Sequence, residues 1–297
     1  MNTSNKIQAR VSVIGLGNMG YKLAELLLQK GYEVTVWNRS AHKAGALVAE
    51  GAVLAETVAE AIAASPVTVI CVYDYNATKA ILRHDDVAAA VHGKTLIELT
   101  TGSPEQADEA ESWARRNKAT YLDGAIQAAP EQMGRKDTPI FISGNEEVFR
   151  KHGDLLQVFG GGVSYLGSHA GAASAMDLAT LSYLYGSIIG FFHGARIVES
   201  EGMDVGVYGK LTADITPTFG EFLEHEGKVI RSGNFEISQS PLRISVEAVE
   251  RILKQAKGSG INTELPELAS GLLQKAKAAG YENEELAALI KVMRKSA

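Results

Sequence analysis

The chain has a single cysteine, Cys71, so no internal disulfide can form. Cys71 sits in the apolar run Val69-Ile70-Cys71-Val72, where a small buried core residue is expected rather than a nucleophile. Proline is scarce, with seven in 297 residues, and no Pro-, Gly- or Ser-rich stretch reads as a linker. No apolar run reaches the roughly 20 residues of a membrane helix. Residues 1–10 are polar and lack the apolar segment of a signal peptide. The formal net charge of -6 argues against a broad nucleic-acid footprint. The seven histidines show no metal-ligand spacing, so no metal is expected. Neither Gly-x-Ser-x-Gly nor a Walker-type Gly-Lys-Ser/Thr occurs. Together these absences lead us to expect a cytoplasmic globular protein with neither a membrane nor a nucleic-acid partner.

What is present begins with Val11-Ser12-Val13-Ile14-Gly15-Leu16-Gly17-Asn18-Met19-Gly20. A β-branched apolar run ends in glycines, a helical pattern follows at once, and 34–38 reads as the next strand. In that frame Gly-x-Gly-x-x-Gly is a dinucleotide-binding turn. Gly15 allows the tight turn, Gly17 admits a pyrophosphate, and Gly20 lets helix and strand pack closely. The helix start offers free N–H groups and a positive dipole end, so Leu16, Asn18 and Met19 join the glycines as cofactor candidates.

Strand candidates at 11–15, 34–38, 67–72, 95–99, 120–123, 140–143 and 163–166 alternate with helical stretches such as 20–29 and 104–117. This alternation predicts parallel strands covered by helices, with ligands at the carboxyl ends of the strands. After the second strand, where an NAD site carries Asp or Glu, the chain reads Asn38-Arg39-Ser40-Ala41-His42-Lys43. Arg39 and Lys43 suit a 2′-phosphate, with Asn38 and Ser40 beside them, so NADPH is the expected cofactor. Val72 ends the strand at 67–72 and Tyr73 follows it, Thr100 and Thr101 follow the strand at 95–99, and all four should border the nicotinamide. Residues 121–134 run from a strand into a small-residue loop that suits a wall near substrate, with Ala125 and Gln127 as its contacts.

From His169 the pattern turns helical. Residues 170–201 contain no proline and read as one long, almost wholly apolar helix that must be covered on most faces. Gly186, Gly190 and Gly194 form a stripe that would let another helix approach. Helices are expected at 205–215, 219–227, 245–258, 266–280 and 283–295. The chain therefore divides into an α/β domain, 1–168, and an all-α domain, 169–297, joined by the long helix. Asp177 and Tyr185 stand out on that helix. A buried carboxylate needs a partner, a shifted pKa or a job. Eight residues apart, the two could face one cleft, and both can donate a proton beside a hydride acceptor. The other reading of Asp177 is a structural acid near a helix start.

These residues resemble the β-hydroxyacid dehydrogenase superfamily, through Gly15-Leu16-Gly17-Asn18-Met19-Gly20 and Val36-Trp37-Asn38-Arg39-Ser40 with Lys43. That resemblance implies a Rossmann domain, a long interdomain helix and helical domains intertwined in a homodimer. The superfamily's catalytic lysine and the asparagine four residues on are here Asp177 and Leu181. This is the pattern of imine reductases and reductive aminases, which the chain also resembles in Leu122-Asp123-Gly124-Ala125-Ile126 and Ser240-Pro241-Leu242-Arg243. The resemblance implies hydride transfer from NADPH to a C=N bond, with an imine, or a ketone plus an amine, as substrate. Asp177 and Tyr185 would be catalytic, and Thr101, Ala125 and Gln127 would join them around the substrate. Thr101 stands where reductive aminases carry Asn, a departure that speaks against efficient ketone–amine condensation. The alternatives are a hydroxyacid dehydrogenase-like carbonyl oxidoreductase and, in another class, a non-catalytic NADP-binding sensor.

Overall fold

The computed structural model describes residues 9–294. The chain divides into two compact units, one ending at Ser182 and the other beginning at Tyr183. The boundary expected from sequence, after 168, precedes the long helix, whereas the compact units meet within it.

The first unit is built on an eight-stranded sheet. Its strands are β1 (Arg10–Ile14), β2 (Glu33–Trp37), β3 (Val53–Leu54), β4 (Val67–Ile70), β5 (Thr95–Glu98), β6 (Thr120–Ile126), β7 (Pro139–Gly144) and β8 (Gly162–Tyr165). The order is β3-β2-β1-β4-β5-β6-β7-β8. The chain leaves β1 toward β2 on one side and later returns as β4 on the other, so a crevice opens at the carboxyl end of β1. Two features depart from the expected pattern. β3 is a two-residue edge strand too short to leave a hydrophobic period. β7 runs antiparallel to β6, because the link between them holds only a short 3-10 turn rather than a crossover helix.

Helices α1 (Asn18–Gln29), α2 (Gly45–Ala49), α3 (Val58–Ala64), α4 (Tyr75–Leu82), α5 (Asp85–Ala90), α6 (Pro104–Arg116), α7 (Glu146–Lys151) and α8 (Gly153–Phe159) cover the sheet. Helix α1 forms because Leu23, Ala24, Leu26 and Leu27 recur at helical spacing and bury one stripe. Each fully buried leucine contributes about 1.5–3 kcal/mol. Helix α6 starts on a capping box, with Ser103 and Gln106 each satisfying the other's backbone N–H, and Pro104 at its first position. One sheet face packs Val13, Val36, Val69, Ile97 and Leu122 with α1 and α8. The other packs Ile14, Ile70, Leu96 and Tyr121 with α3, α5 and α6.

Helix α9 (Ala172–Ser200) runs unbroken from the first unit into the second. Within one chain it is little covered: Met176, Leu178, Leu184, Ile189 and Phe192 are all exposed. Its most apolar 18 residues have a mean hydropathy of 1.2, so by length and composition it is long and apolar enough to cross a membrane. The sequence reading missed this because Asp177, Ser182 and Ser187 interrupt any continuous apolar run.

In the second unit, α10 (Val205–Ser232) is one helix where two were expected, and it passes through Pro217. The ring deprives only the Ala213 carbonyl of its donor, on a stretch exposed to water. Gly194 makes room for this helix, since a Cβ there would lie 2.2 Å from the Tyr208 hydroxyl. Phe191 stacks on Tyr208 beside it, with ring centroids 5.0 Å apart. Gly186 and Gly190 meet nothing. Helices α11 (Leu242–Gly258) and α12 (Glu264–Ala278) pack around Leu242, Val246, Leu273, Ala276 and Ala288. The helix expected at 283–295 is a 3-10 turn, Leu286–Leu289, followed by the short α13 (Ile290–Met293). Residue 295 lies outside the described residues.

Candidate active site

The glycine loop is built as its spacing requires. Gly15 has φ +97, and a Cβ on it would lie 2.2 Å from the Cys71 carbonyl oxygen. A Cβ on Gly20 would lie 2.1 Å from the Gly15 carbonyl oxygen. Backbone crowding therefore accounts for both glycines. Gly17 is different, because an added Cβ would meet nothing within 4 Å. Packing does not explain that glycine, and room for a ligand does. Gly17 is also the N-cap of α1 and provides no side-chain cap, leaving the first-turn N–H groups free for an anion. Leu16, Gly17, Asn18, Tyr21 and Lys43 line a cleft of about 330 Å³.

Arg39 and Lys43 are exposed and form no ion pair among the described residues. Ser40 is the N-cap of the turn Ala41–Ala44, yet its hydroxyl caps nothing. Two unpaired cations and a free hydroxyl thus stand beside the glycine loop, a donor set that fits a 2′-phosphate. Asn38 has a different task. It accepts from the Leu16 N–H (2.9 Å) and donates to the Ser40 carbonyl (3.0 Å), tying the glycine loop to the end of β2.

Beyond β4 and β5, the Val72 N–H donates to Thr100 Oγ1 at 3.0 Å. Thr100 is therefore a buried strut between two loops, whereas Thr101 and Tyr73 are exposed. Strand β6 continues three residues past its expected end, which puts Ala125 inside the sheet opposite Phe141. Gln127 follows immediately and faces α9.

Asp177 is 4% exposed. Its Oδ1 accepts from Gln127 Nε2. Thr180 donates to Gln127 Oε1 at 2.9 Å, which orients the amide with its NH2 toward the acid. Burial lifts the Asp177 carboxyl above the ordinary carboxylate range, and the Gln127 bond offsets this in part. No Lys, Arg or His pairs with it among the described residues. Tyr185 lies two turns further along α9 and is 61% exposed. The two share a helix but not an environment.

The buried polar cluster at the ends of β5 and β6 gave no signal in the sequence. Glu98 and Asp123 are cross-strand neighbours, both fully buried. Asp123 accepts from the Tyr75 hydroxyl and from Ser174 Oγ at 2.8 Å. Burial lifts Asp123 to about 6, against the pull of those hydroxyls. Burial also lifts Glu98 to about 8, eased by Thr100 and reinforced by the neighbouring Asp123. Cys71, buried as expected, is pushed up to about 12. In the second unit, Glu285 accepts from the backbone of Ser238, Gln239 and Ser240 and so clamps the loop leading into Ser240-Pro241-Leu242-Arg243. Burial opposes those bonds, yet they hold its carboxyl down at about 2. His225, Glu226 and Glu285 place ligand atoms within 4.8 Å of one another, a grouping that histidine spacing alone did not reveal.

Both parts of the chain match known families. The NAD binding domain of 6-phosphogluconate dehydrogenase matches residues 10–167. The C-terminal domain of NADPH-dependent reductive aminase-like proteins matches 169–295. An NADPH-dependent reductive aminase from Aspergillus oryzae is 32% identical over 286 residues, covering 94% of this chain and 95% of that protein. An imine reductase from Myxococcus stipitatus in complex with NADP+ superposes with a TM-score of 0.88 at 31% identity, covering 96% of this chain and all of that one. A reductive aminase from Aspergillus terreus, in complex with NADPH4, cyclohexanone and allyl amine, gives 0.85 at 32% identity, covering 97% of this chain and 100% of that chain. The chain belongs to the imine reductase and reductive aminase family of NADPH-dependent oxidoreductases.

Proposed function

We propose that this protein reduces C=N bonds with NADPH, accepting cyclic imines or iminium ions and also ketones condensed with amines. The observation that carries this reading is Asp177: a buried carboxylate held by the neutral amide of Gln127, with no cation paired to it among the described residues. Such a group attracts an iminium and repels the carboxylate of a hydroxyacid. NADPH supplies the hydride when bound. The free N–H groups at the start of α1 hold its pyrophosphate, and Arg39, Ser40 and Lys43 hold its 2′-phosphate. Val72, Tyr73, Thr100 and Thr101 border the nicotinamide end. Gln127 occupies Asp177 Oδ1, leaving Oδ2 to stabilise the iminium or relay its proton, and Tyr185 orients the substrate nitrogen.

The test is NADPH oxidation with pyrroline-type cyclic imines and with ketone–amine mixtures, run beside NADP+ reduction with 3-hydroxyacids. We expect turnover of the imines and none of the hydroxyacids; the reverse pattern overturns the reading.

The protein works as a homodimer in this reading. Leu184, Ile189 and Phe192 on α9 and Leu211, Ile215 and Phe219 on α10 are exposed apolar groups, and a second copy would cover them. Light scattering after size exclusion should give twice the mass of one chain, and a monomer would remove the dimer from the proposal. The single cysteine and the use of NADPH both suit the cytoplasm.

A further inference from the structure

Helix α9 is tied to the sheet at several points. Ser143 Oγ donates to the Ala170 carbonyl (2.6 Å) and accepts from the Ala173 N–H (2.9 Å). The Gly171 N–H donates to Asp108 (3.1 Å). These bonds hold the backbone where the helix begins. Among the described residues, two of β6 and its continuation hydrogen-bond side chains on α9: Asp123, which accepts from Ser174, and Gln127, which meets Asp177 and Thr180. One bond fixes where the helix starts, and a second, further along, fixes its rotation.

We infer that Asp123 is a positioning residue for the reaction: through Ser174 it sets the rotation of α9 and so holds Asp177 in register with Gln127. Asp123 is suited to this task by its surroundings. It is wholly buried and has no cationic partner among the described residues, so hydroxyl donors, including Tyr75 and Ser174, bear its charge. A buried carboxylate makes its bonds strongly and with fixed direction, because it has no water to exchange them with. Tyr75 opens α4, so Asp123 also links that helix to α9. Ser174 and Asp177 are three residues apart on the helix, and Asp123 and Gln127 are four apart on one chain segment. A small rotation of α9 about its axis would separate Asp177 from Gln127 before it broke the backbone bonds to Ser143.

This inference rests on the imine-reductase reading, so its test is read on two levels. The variant is Ser174→Ala, which removes one hydroxyl and leaves the Ser143 and Asp108 anchors in place. With pyrroline and saturating NADPH we expect kcat to fall about tenfold, with NADPH affinity by fluorescence titration and thermal midpoint little changed. Asp123→Ala should lose turnover too, and adding Ser174→Ala to it should cost nothing more, because the bond the two residues share can be lost only once. Hydrogen exchange should quicken in the first turns of α9, whether or not a substrate is known. Unchanged exchange overturns the inference even if the wild-type protein reduces no imine tested. So does a kcat within twofold of wild type, or additive losses in the double variant. If the wild-type protein reduces no imine yet exchange quickens, the imine reading fails and the Asp123–Ser174 anchor stands.

Discussion

Asp177→Ala should lower turnover of a cyclic imine by roughly 10²–10⁴, the range for losing a group that transfers or stabilises a proton in the transition state. The affinity for NADPH should stay within about twofold of wild type, because Asp177 lies on α9 and the cofactor donors lie after β1 and β2. The variant should fold, since among the described residues the only side-chain hydrogen bond it removes is the one from Gln127. Asp177→Asn sharpens the result by keeping the shape and removing the charge. The pH profile then separates two roles. Burial raises the Asp177 carboxyl above its ordinary value, so protons leave it at higher pH than usual. If its proton is transferred, turnover falls as pH rises through that value. If its anion stabilises the iminium, turnover falls as pH drops through it. Turnover within about threefold of wild type in Asp177→Ala would remove the residue from the reaction.

Glu98→Gln should flatten the dependence of stability on alkaline pH. Glu98 is raised from 4.5 to about 8 by burial, with Asp123 beside it adding to the effect. A carboxyl raised in the folded state binds its proton more tightly there than in the unfolded chain. Stability is therefore full below about 4.5 and is lost as pH rises toward 8. At about 1.4 kcal/mol per pH unit, the loss is on the order of 4–5 kcal/mol. Tm falls by about 2–4 °C per kcal/mol in a unit of this size, so the wild-type midpoint should drop by roughly 10 °C between pH 5 and pH 9. The groups that face Glu98 are Asp123, Tyr75, Tyr121 and Cys71. Asp123, raised to about 6, is half ionised at that pH, so the loss above about pH 7 belongs to Glu98. Glutamine mimics the neutral acid and cannot ionise. Its midpoint should be similar to wild type at pH 5 and higher at pH 9. Equal slopes for the two proteins would show that Glu98 does not carry the effect.

Local features were legible in the sequence. The glycine loop, the helix that follows it and the cations after β2 lie within about one β-α-β unit, where chain geometry leaves few choices. Asp177 was legible as a polar residue on an apolar helix. Register was not. The antiparallel β6–β7 pair, the short β3 and the passage of α10 through Pro217 depend on what lies across the sheet or on exposure to water. The extension of β6 buried Ala125 and brought Gln127 to the helix, a shift of three residues that alternation alone does not resolve.

The Glu98–Asp123 pair shows the same limit more sharply. Glu98 is unremarked in its own strand and Asp123 enters only as part of the motif at 122–126, and their juxtaposition exists only in the β5–β6 register. By itself the sequence determined the proposed cofactor site: the glycine loop and the cations after β2 are contiguous, so local chain geometry dictates them. Only the tertiary structure decided what surrounds the Asp177 carboxylate. Gln127 is 50 residues from Asp177, and Asp123 is 51 from Ser174. Separations of that length are closed by the packing of the whole sheet against α9, and no local preference encodes them.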